Sequence, residues 1–273
     1  MNNEINDAVT WLKSLRKINI PVLRQTARQL AKLKQDEEHL SACAISAVVL
    51  NDPFMAFKVL SYTNSHPGKH QLQDIIEVEQ AIMMLGTTNF FGHLTPDLLV
   101  DDRLRSNMPA LTHLLKIIKR AHRAALRKDL HSEEIWIEAL LHDFAETLMW
   151  CFAPEKMNII FDMQQQDKTL RTKDAQQRIL GFHTSDLQNE LVKVYPMPPL
   201  LTKLMNDDVE TELDNRVNNV SLAVNLARHS ANDWDDEALP DDYDAIAAFL
   251  HIDVARVLYL IKHPDAESIN QSN

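Results

Sequence analysis

The composition of this chain indicates a globular protein that does not act mainly on nucleic acid. Its 273 residues, of which 45% are hydrophobic, suffice for one large domain or two small ones. Only four residues are glycine, and hairpin pairs such as Asn-Gly are absent, which argues against a sheet-rich fold. The formal net charge of −11 disfavours nucleic acid and an anionic membrane surface as partners.

The cysteines and the apolar runs predict a cytoplasmic protein. Cys43 and Cys151 form no Cys-x-x-Cys pair, which fits a reducing compartment. The N-terminus has no basic region followed by an apolar core, so no signal peptide is expected. The longest apolar run, near residues 42–50, is interrupted by Ser46 and is far shorter than the ~20 residues of a membrane span.

Helical spacing of apolar residues dominates the N-terminal third of the chain. One apolar face is predicted from Leu23 to Leu33, and another from Val78 to Leu85, where Gly86 supplies a stop. Met83 and Met84 of the second helix are expected in the core. Asp52-Pro53 is a typical helix start, with the aspartate as cap and the proline in the first turn. Asn64 and Ser65 are expected to end that helix.

The rest of the chain is predicted to be helical as well. Helices are expected over residues 109–128, 132–151, 154–166, 172–194, 198–206, 214–230 and 240–262. The sequence contains no convincing strand and no repeat. The segment 92–109 carries Pro96, Pro109 and several charges, and it is expected to separate an N-terminal lobe (about 1–95) from a second lobe that starts at about 105. The predicted fold class is therefore all-α.

The segment Ala139 to Phe144 contains an adjacent histidine and aspartate, His142 and Asp143. Two neighbouring residues on a helix point about 100° apart, so one ion at the helix edge could touch both. Catalytic metal sites usually have three or more protein ligands, so two ligands hold a divalent ion poorly. The pair therefore raises the question of which other residues could complete a site.

Several short motifs, in this order and spacing, resemble the HDOD domain, the HD-related output domain of bacterial signalling proteins. The motifs are Ile20 to Leu23, Val49 to Pro53, Lys58 to Ser65, Gln80 to Gly86 and Leu140 to Asp143. The resemblance covers residues 14–212, and residues 213–273 are expected to form a helical extension packed on the HD-related lobe. It implies an all-α fold related to the HD phosphohydrolases, in which histidines and aspartates from several helices hold one or two metals. Proteins of the HDOD family commonly lack part of that set and are regarded as signalling modules.

The resemblance assigns only part of the metal set to this chain. His113 matches the first ligand, 29 residues before His142, and His142 with Asp143 matches the central pair. The glycine that follows in the enzymes is Ala145 here, and the basic residue after it is Glu146. The last metal aspartate falls on Val224, which cannot ligate an ion.

Three carboxylates could replace the missing ligands, because carboxylates bind hard cations. They are Asp207 and Asp208, where the family's later histidine pair falls, and Glu146. The alternative is that His142 and Asp143 bind each other or nearby helix ends and hold the lobe together. We expect no cofactor under this second interpretation, and Mn, Fe or Zn under the first.

Three functional hypotheses follow. The first is a non-catalytic signalling or regulatory module that binds a protein partner or a small ligand. The second is a metal-dependent phosphohydrolase that acts on a phosphoester or nucleotide through His113, His142 and Asp143. The third is phosphate or nucleotide sensing by a basic ridge that includes Lys116, Arg120 and Arg123, although a solvated helix face explains the same residues.

Overall fold

The structure is a computed structural model that describes residues 7–15, 19–66, 75, 77–94, 98–126, 133–195, 197, 215–230, 234 and 237–262. Within these ranges, the side chains of residues 119–126, 133–136, 215–217, 219, 227, 228 and 262 are outside the description. Throughout the described ranges the regular secondary structure is helical, as the sequence predicts. The predicted helix 198–206 lies outside the described residues.

The helices fall into two groups in chain order. Those before the segment 92–109, or within it, are α1 (Ala8–Leu15), α2 (Arg24–Gln35), α3 (Ala42–Val49), α4 (Pro53–Ser65), α5 (Val78–Leu85), α6 (Thr87–His93) and α7 (Val100–Arg103). Those that follow are α8 (Met108–Leu126), α9 (Glu133–Leu141), α10 (Phe144–Phe152), α11 (Pro154–Gln166), α12 (Thr172–Ile179), α13 (Thr184–Val194), α14 (Asn215–His229), α15 (Leu239–Leu250) and α16 (Val254–Lys262).

The predicted start of α4 is confirmed and links two helices. The Asp52 carboxylate accepts hydrogen bonds from the backbone N–H groups of Phe54 (2.9 Å) and Met55 (3.2 Å), which satisfies the first turn of α4. Its other oxygen accepts from the N–H of Leu23 (2.8 Å), just before α2. Burial raises the pKa of Asp52, although these hydrogen bonds and one from Thr26 oppose the shift. A single buried carboxylate therefore fixes the ends of α2 and α4 against each other.

The segment 92–109 contributes to the hydrophobic core. Leu94, Val100 and Leu104 are buried, and the backbone of Val22 pairs with residues 98–100 in an isolated bridge. Most of the buried apolar residues form one cluster that runs from α1 through this segment to α13. The described helices of both predicted lobes thus share one core.

Aromatic side chains connect the N-terminal helices to the beginning of α10. Phe57 on α4 stacks on Phe144 with ring centroids 4.4 Å apart, and Phe54 meets the same ring edge-on at 5.8 Å. Tyr195 contacts the Phe57 ring from the end of α13 at 5.2 Å. Because Phe144 directly follows Asp143, this cluster anchors the turn that carries His142 and Asp143.

Three helices predicted as continuous are broken in the structure. The helix expected over 132–151 is interrupted at His142 and Asp143, and the one over 172–194 at residues 180–183, where Gly181 has φ +83°. The helix expected over 240–262 breaks after Leu250, because His251 adopts the left-handed conformation (φ 54°). Apolar spacing continues on both sides of each break, so periodicity alone does not reveal them.

The surface of α5 differs from expectation. Met83 and Met84 were expected in the core, yet they are 61% and 47% exposed, since Val78, Ala81 and Ile82 supply the buried face of that helix. This prediction was wrong. No described helix combines the length and the apolar character that crossing a membrane requires.

The C-terminal helices pack one on the next. α14 packs against α8 and α9, α15 packs against α14, and α16 packs against α15. His229 near the end of α14 and Asp242 on α15 form a 2.6 Å pair that joins two of these helices.

Candidate functional site

His142 and Asp143 lie in the two-residue turn between α9 and α10, and not on a continuous helix as expected. The Nδ1 atom of His142 is 3.0 Å from Oδ1 of Asp143, and the two side chains are 8% and 20% exposed. The Nδ1 atom of the imidazole therefore faces the carboxylate of the next residue in the chain. A histidine held in this way has its ring orientation fixed by its neighbour.

The turn is held from outside by Gln188 on α13. The Gln188 side-chain oxygen accepts a hydrogen bond from the N–H of Ala145 (2.7 Å), and its Nε2 donates to the carbonyls of Leu141 (3.2 Å) and His142 (3.3 Å). These are backbone groups at the end of α9 and the start of α10, which a helix cannot satisfy internally. Gln188 is itself only 3% exposed. Its amide therefore supplies the hydrogen-bond partners that water would otherwise provide at the break, and it positions the His142–Asp143 turn.

His113, on α8, contacts the rings of two aromatic residues from other helices. Its imidazole stacks on Trp150 of α10 with centroids 4.9 Å apart and planes 17° apart, and it lies 4.0 Å from the centroid of Phe161 on α11. Stacking of this kind contributes packing energy of about 0.5–1.5 kcal/mol per pair. The contacts of His113 thus fit a role in joining α8, α10 and α11.

Glu146 belongs to the same aromatic group. Its Oε1 atom lies 3.3 Å from Nε1 of Trp150, one turn further along α10, and accepts a hydrogen bond from the indole. Trp150 therefore contacts both Glu146 and His113. The carboxylate that could have completed a metal site is engaged with a core tryptophan.

The predicted metal ligands do not form a cluster within the described part of the chain. There, no three histidine, cysteine, aspartate or glutamate side chains come together as a group able to hold a metal ion, so His113 is not gathered with His142 and Asp143. Val224, at the position of the last family ligand, is 5% exposed on α14. Asp207 and Asp208 lie outside the described residues.

Of the predicted basic ridge, only Lys116 has a described side chain, and it is exposed on α8. The helix itself is confirmed, from Met108 to Leu126. The side chains of Arg120 and Arg123 lie outside the description, so phosphate binding there stays a prediction.

A buried thiol lies near the end of α10. Burial raises the pKa of Cys151 to about 12, although the nearby Arg103 opposes the shift. The Arg103 guanidinium donates from Nε to the Cys151 carbonyl (2.9 Å) and lies over the Phe152 ring, 4.2 Å from its centroid. Burial therefore disfavours the thiolate form of Cys151, which is the reactive form of a cysteine.

Sequence reasoning missed Gln188, Trp150 and Phe161. A signal existed for Gln188, because it sits beside the apolar stripe of Leu187 and Leu191 where a polar residue must find buried partners. The two aromatic residues gave no comparable signal, since an aromatic residue on an apolar helix face is expected in any core.

Comparisons with solved structures agree with the all-helical fold. The chain is similar to the MmoQ response regulator from Methylococcus capsulatus (TM-score 0.63, 17% identity, 88% of this chain and 98% of that chain). It is also similar to a virulence factor from Campylobacter jejuni (TM-score 0.67, 15% identity, 93% and 97%). An HDOD domain protein of unknown function from Geobacter sulfurreducens gives a TM-score of 0.44 at 16% identity over 97% and 96%.

At these identities the solved structures establish the fold alone. No curated protein matches the sequence. The model of the HDOD domain matches residues 20–210, which is more than half of the chain. The protein therefore belongs to the HDOD domain family.

Proposed function

We propose that this protein is a non-catalytic signal-transduction module of the bacterial cytoplasm, which acts by binding a protein partner or a small ligand. The observation that carries the proposal is that the predicted metal ligands make structural contacts with other side chains. His142 faces Asp143, His113 stacks on Trp150 and contacts the Phe161 ring, and Glu146 accepts a hydrogen bond from Trp150. Each side chain has a structural contact that accounts for its place.

The surroundings of these residues support the same interpretation. A metal site needs ligands whose lone pairs converge on one point, with an open position for water or substrate. Here the Gln188 amide binds the backbone on both sides of the His142–Asp143 turn, and Phe144, the next residue, stacks on Phe57. Val224, in place of a ligand, adds an apolar side chain to α14. This arrangement favours a rigid scaffold over a reaction centre.

The test is a turnover assay on the full-length protein with bis(p-nitrophenyl) phosphate, p-nitrophenyl phosphate and cyclic and linear dinucleotides, each with added Mn²⁺. We expect no turnover above the buffer rate for the wild type and for His142→Ala. We also expect His142→Ala to lower the melting temperature, because it removes a buried hydrogen-bonded side chain.

Metal-dependent turnover that His142→Ala abolishes without loss of stability would contradict the proposal. It would favour the alternative, a phosphohydrolase that uses His113, His142 and Asp143 with a substitute carboxylate. The variant Val224→Asp adds a second comparison. Turnover gained by that single change would support descent from an enzyme whose last ligand was lost.

A further inference from the structure

We propose that the outer face of α2, α3 and α5 is a docking surface for a short amphipathic helix of a partner protein, with acidic residues concentrated at one end of that helix. The inference rests on the proposed function and deepens it by naming the surface and the kind of partner. This surface, called the α3 face below, is defined by Arg28, Lys32, Cys43, Ala47, Met83 and Met84.

The centre of the α3 face is a helix without charge. The α3 sequence, ACAISAVV, contains no charged residue, and Ile45, Ser46 and Val49 turn inward to the core. Cys43 and Ala47, one turn apart, are exposed. Because both side chains are small, another helix can approach the α3 backbone closely between its flanking neighbours. An exposed helix face in a solvated protein usually carries charge, so this composition calls for an explanation.

Exposed methionines lie on a helix that packs against α3. α5 packs against α3, and its outward residues are Gln80, Met83 and Met84. Large adjacent apolar side chains that stay exposed mark interaction sites when they form a patch. Methionine suits such a surface, because its flexible thioether adapts to the side chains of a partner.

A basic helix also packs against α3. α2 packs against α3, and its sequence, RQTARQLAKLKQ, has four basic residues and no acidic one, in a chain with a net charge of −11. Arg24 is ion-paired with Asp101 and Asp102, and Lys34 lies over the Phe91 ring. Arg28 and Lys32, one turn apart and exposed, make no ion pair with any residue of the described ranges. Their charges are available to an acidic partner.

The charge of the surface changes from basic to acidic just after the C-terminal end of α2. This change favours one orientation of the partner helix over the other. Asp36, Glu37 and Glu38 follow α2 and are exposed, and Asp36 is contacted by the His39 ring at 3.0 Å. Acidic residues of the partner are therefore favoured opposite Arg28 and Lys32 and disfavoured near Glu37 and Glu38. An amphipathic helix of this kind would place its apolar anchors on Cys43, Ala47 and the methionines. Complementary charge would give the orientation and speed the association.

The experiment selects binders for the full-length protein from a display library of random 16-residue peptides. We expect the enriched peptides to be amphipathic, with Asp and Glu at one end. The probe is then the most enriched peptide, labelled with fluorescein, with the dissociation constant read from fluorescence anisotropy. Arg28→Glu with Lys32→Glu, and separately Met83→Ser with Met84→Ser, should each weaken binding by about tenfold or more.

Two further variants sharpen the result. Lys173→Glu with Arg178→Glu makes the same change in net charge at exposed positions of α12, and should leave binding within about twofold. Glu37→Lys with Glu38→Lys removes the repulsive end and should strengthen binding of the same peptide. Circular dichroism melts establish that each variant is folded.

The proposal is overturned if no peptide is enriched, if the enriched peptides are basic or uncharged, or if the α3-face variants bind as tightly as the wild type. It is also overturned if sedimentation velocity finds a dimer that Arg28→Glu with Lys32→Glu dissociates, since a second copy would then be the occupant. Turnover is measured on the same preparation. A failed binding test without turnover counts against the docking surface alone, whereas metal-dependent turnover counts against the non-catalytic function.

Discussion

The side-chain amide of Gln188 makes three hydrogen bonds to the backbone on both sides of the α9–α10 break. Gln188→Ala removes all three and leaves a buried N–H and two carbonyls without that partner. We expect the free energy of unfolding to fall by about 2–4 kcal/mol, because an unsatisfied buried polar group costs about 1–3 kcal/mol. Urea denaturation followed by circular dichroism gives the value.

The matched control is Gln177→Ala, since Gln177 is an exposed glutamine whose amide also bonds a backbone carbonyl, that of Gly181 (3.1 Å). Its loss should cost about 0.5 kcal/mol or less. Equal effects for the two variants would mean that Gln188 does not hold the turn.

The two cysteines provide a second test at the residue scale. Cys43 is exposed and Cys151 is buried, with burial raising the pKa of Cys151 from 9.0 to about 12. In the native protein, iodoacetamide at pH 8 should therefore alkylate Cys43 alone, as read by peptide mass spectrometry. Rapid labelling of Cys151 under native conditions would contradict the packing of α10.

The pH dependence of stability follows with a defined sign. The pKa of the Cys151 thiol is higher in the folded state than in the unfolded state, so the unfolded chain loses its proton first as the pH rises. Stability is thus lost between pH 9.0 and about 12. Because other groups titrate in this range, the measured quantity is the difference from Cys151→Ala, in which this contribution is absent.

At the scale of single elements, local chemistry decided what could be predicted. The start of α4 at Asp52-Pro53 and the end of α5 at Gly86 were both predicted, since a cap and a glycine stop act within a few residues. The break at His142 and Asp143 was not, because it depends on Gln188, some 46 residues further along the chain. The exposure of Met83 and Met84 was missed for a similar reason, since the side of α5 that faces the core is set by its packing on α3 and α4.

The contact between α4 and α10 tests how elements from the two predicted lobes support each other. Phe57 is fully buried and packs on both Phe144 and Tyr195. Phe57→Ala should lower the free energy of unfolding by about 3–5 kcal/mol, through lost burial and the cavity left behind. Met83→Ala, on an exposed position of α5, should change it by about 0.5 kcal/mol or less. A small effect of Phe57→Ala would mean that the α4–α10 contact is not a main support of the fold.

For the whole molecule, the all-α class was predictable because helical periodicity, scarce glycine and the ordered HDOD motifs agreed. The arrangement of the candidate site was harder to predict from the sequence. His142 and Asp143 are neighbours in the sequence, so their proximity required no folding information. The place of His113 depends on how α8, α10 and α11 pack, and motif spacing carried no information about the rings of Trp150 and Phe161.

The central claim is that His142 and Asp143 serve the scaffold and do not hold a catalytic metal. Isothermal titration of the full-length protein with Mn²⁺, in parallel with His142→Ala, tests it most directly. We predict the same weak, unsaturated heats for both proteins. A saturable site of one ion per chain that His142→Ala abolishes would contradict the claim and assign the pair to metal binding.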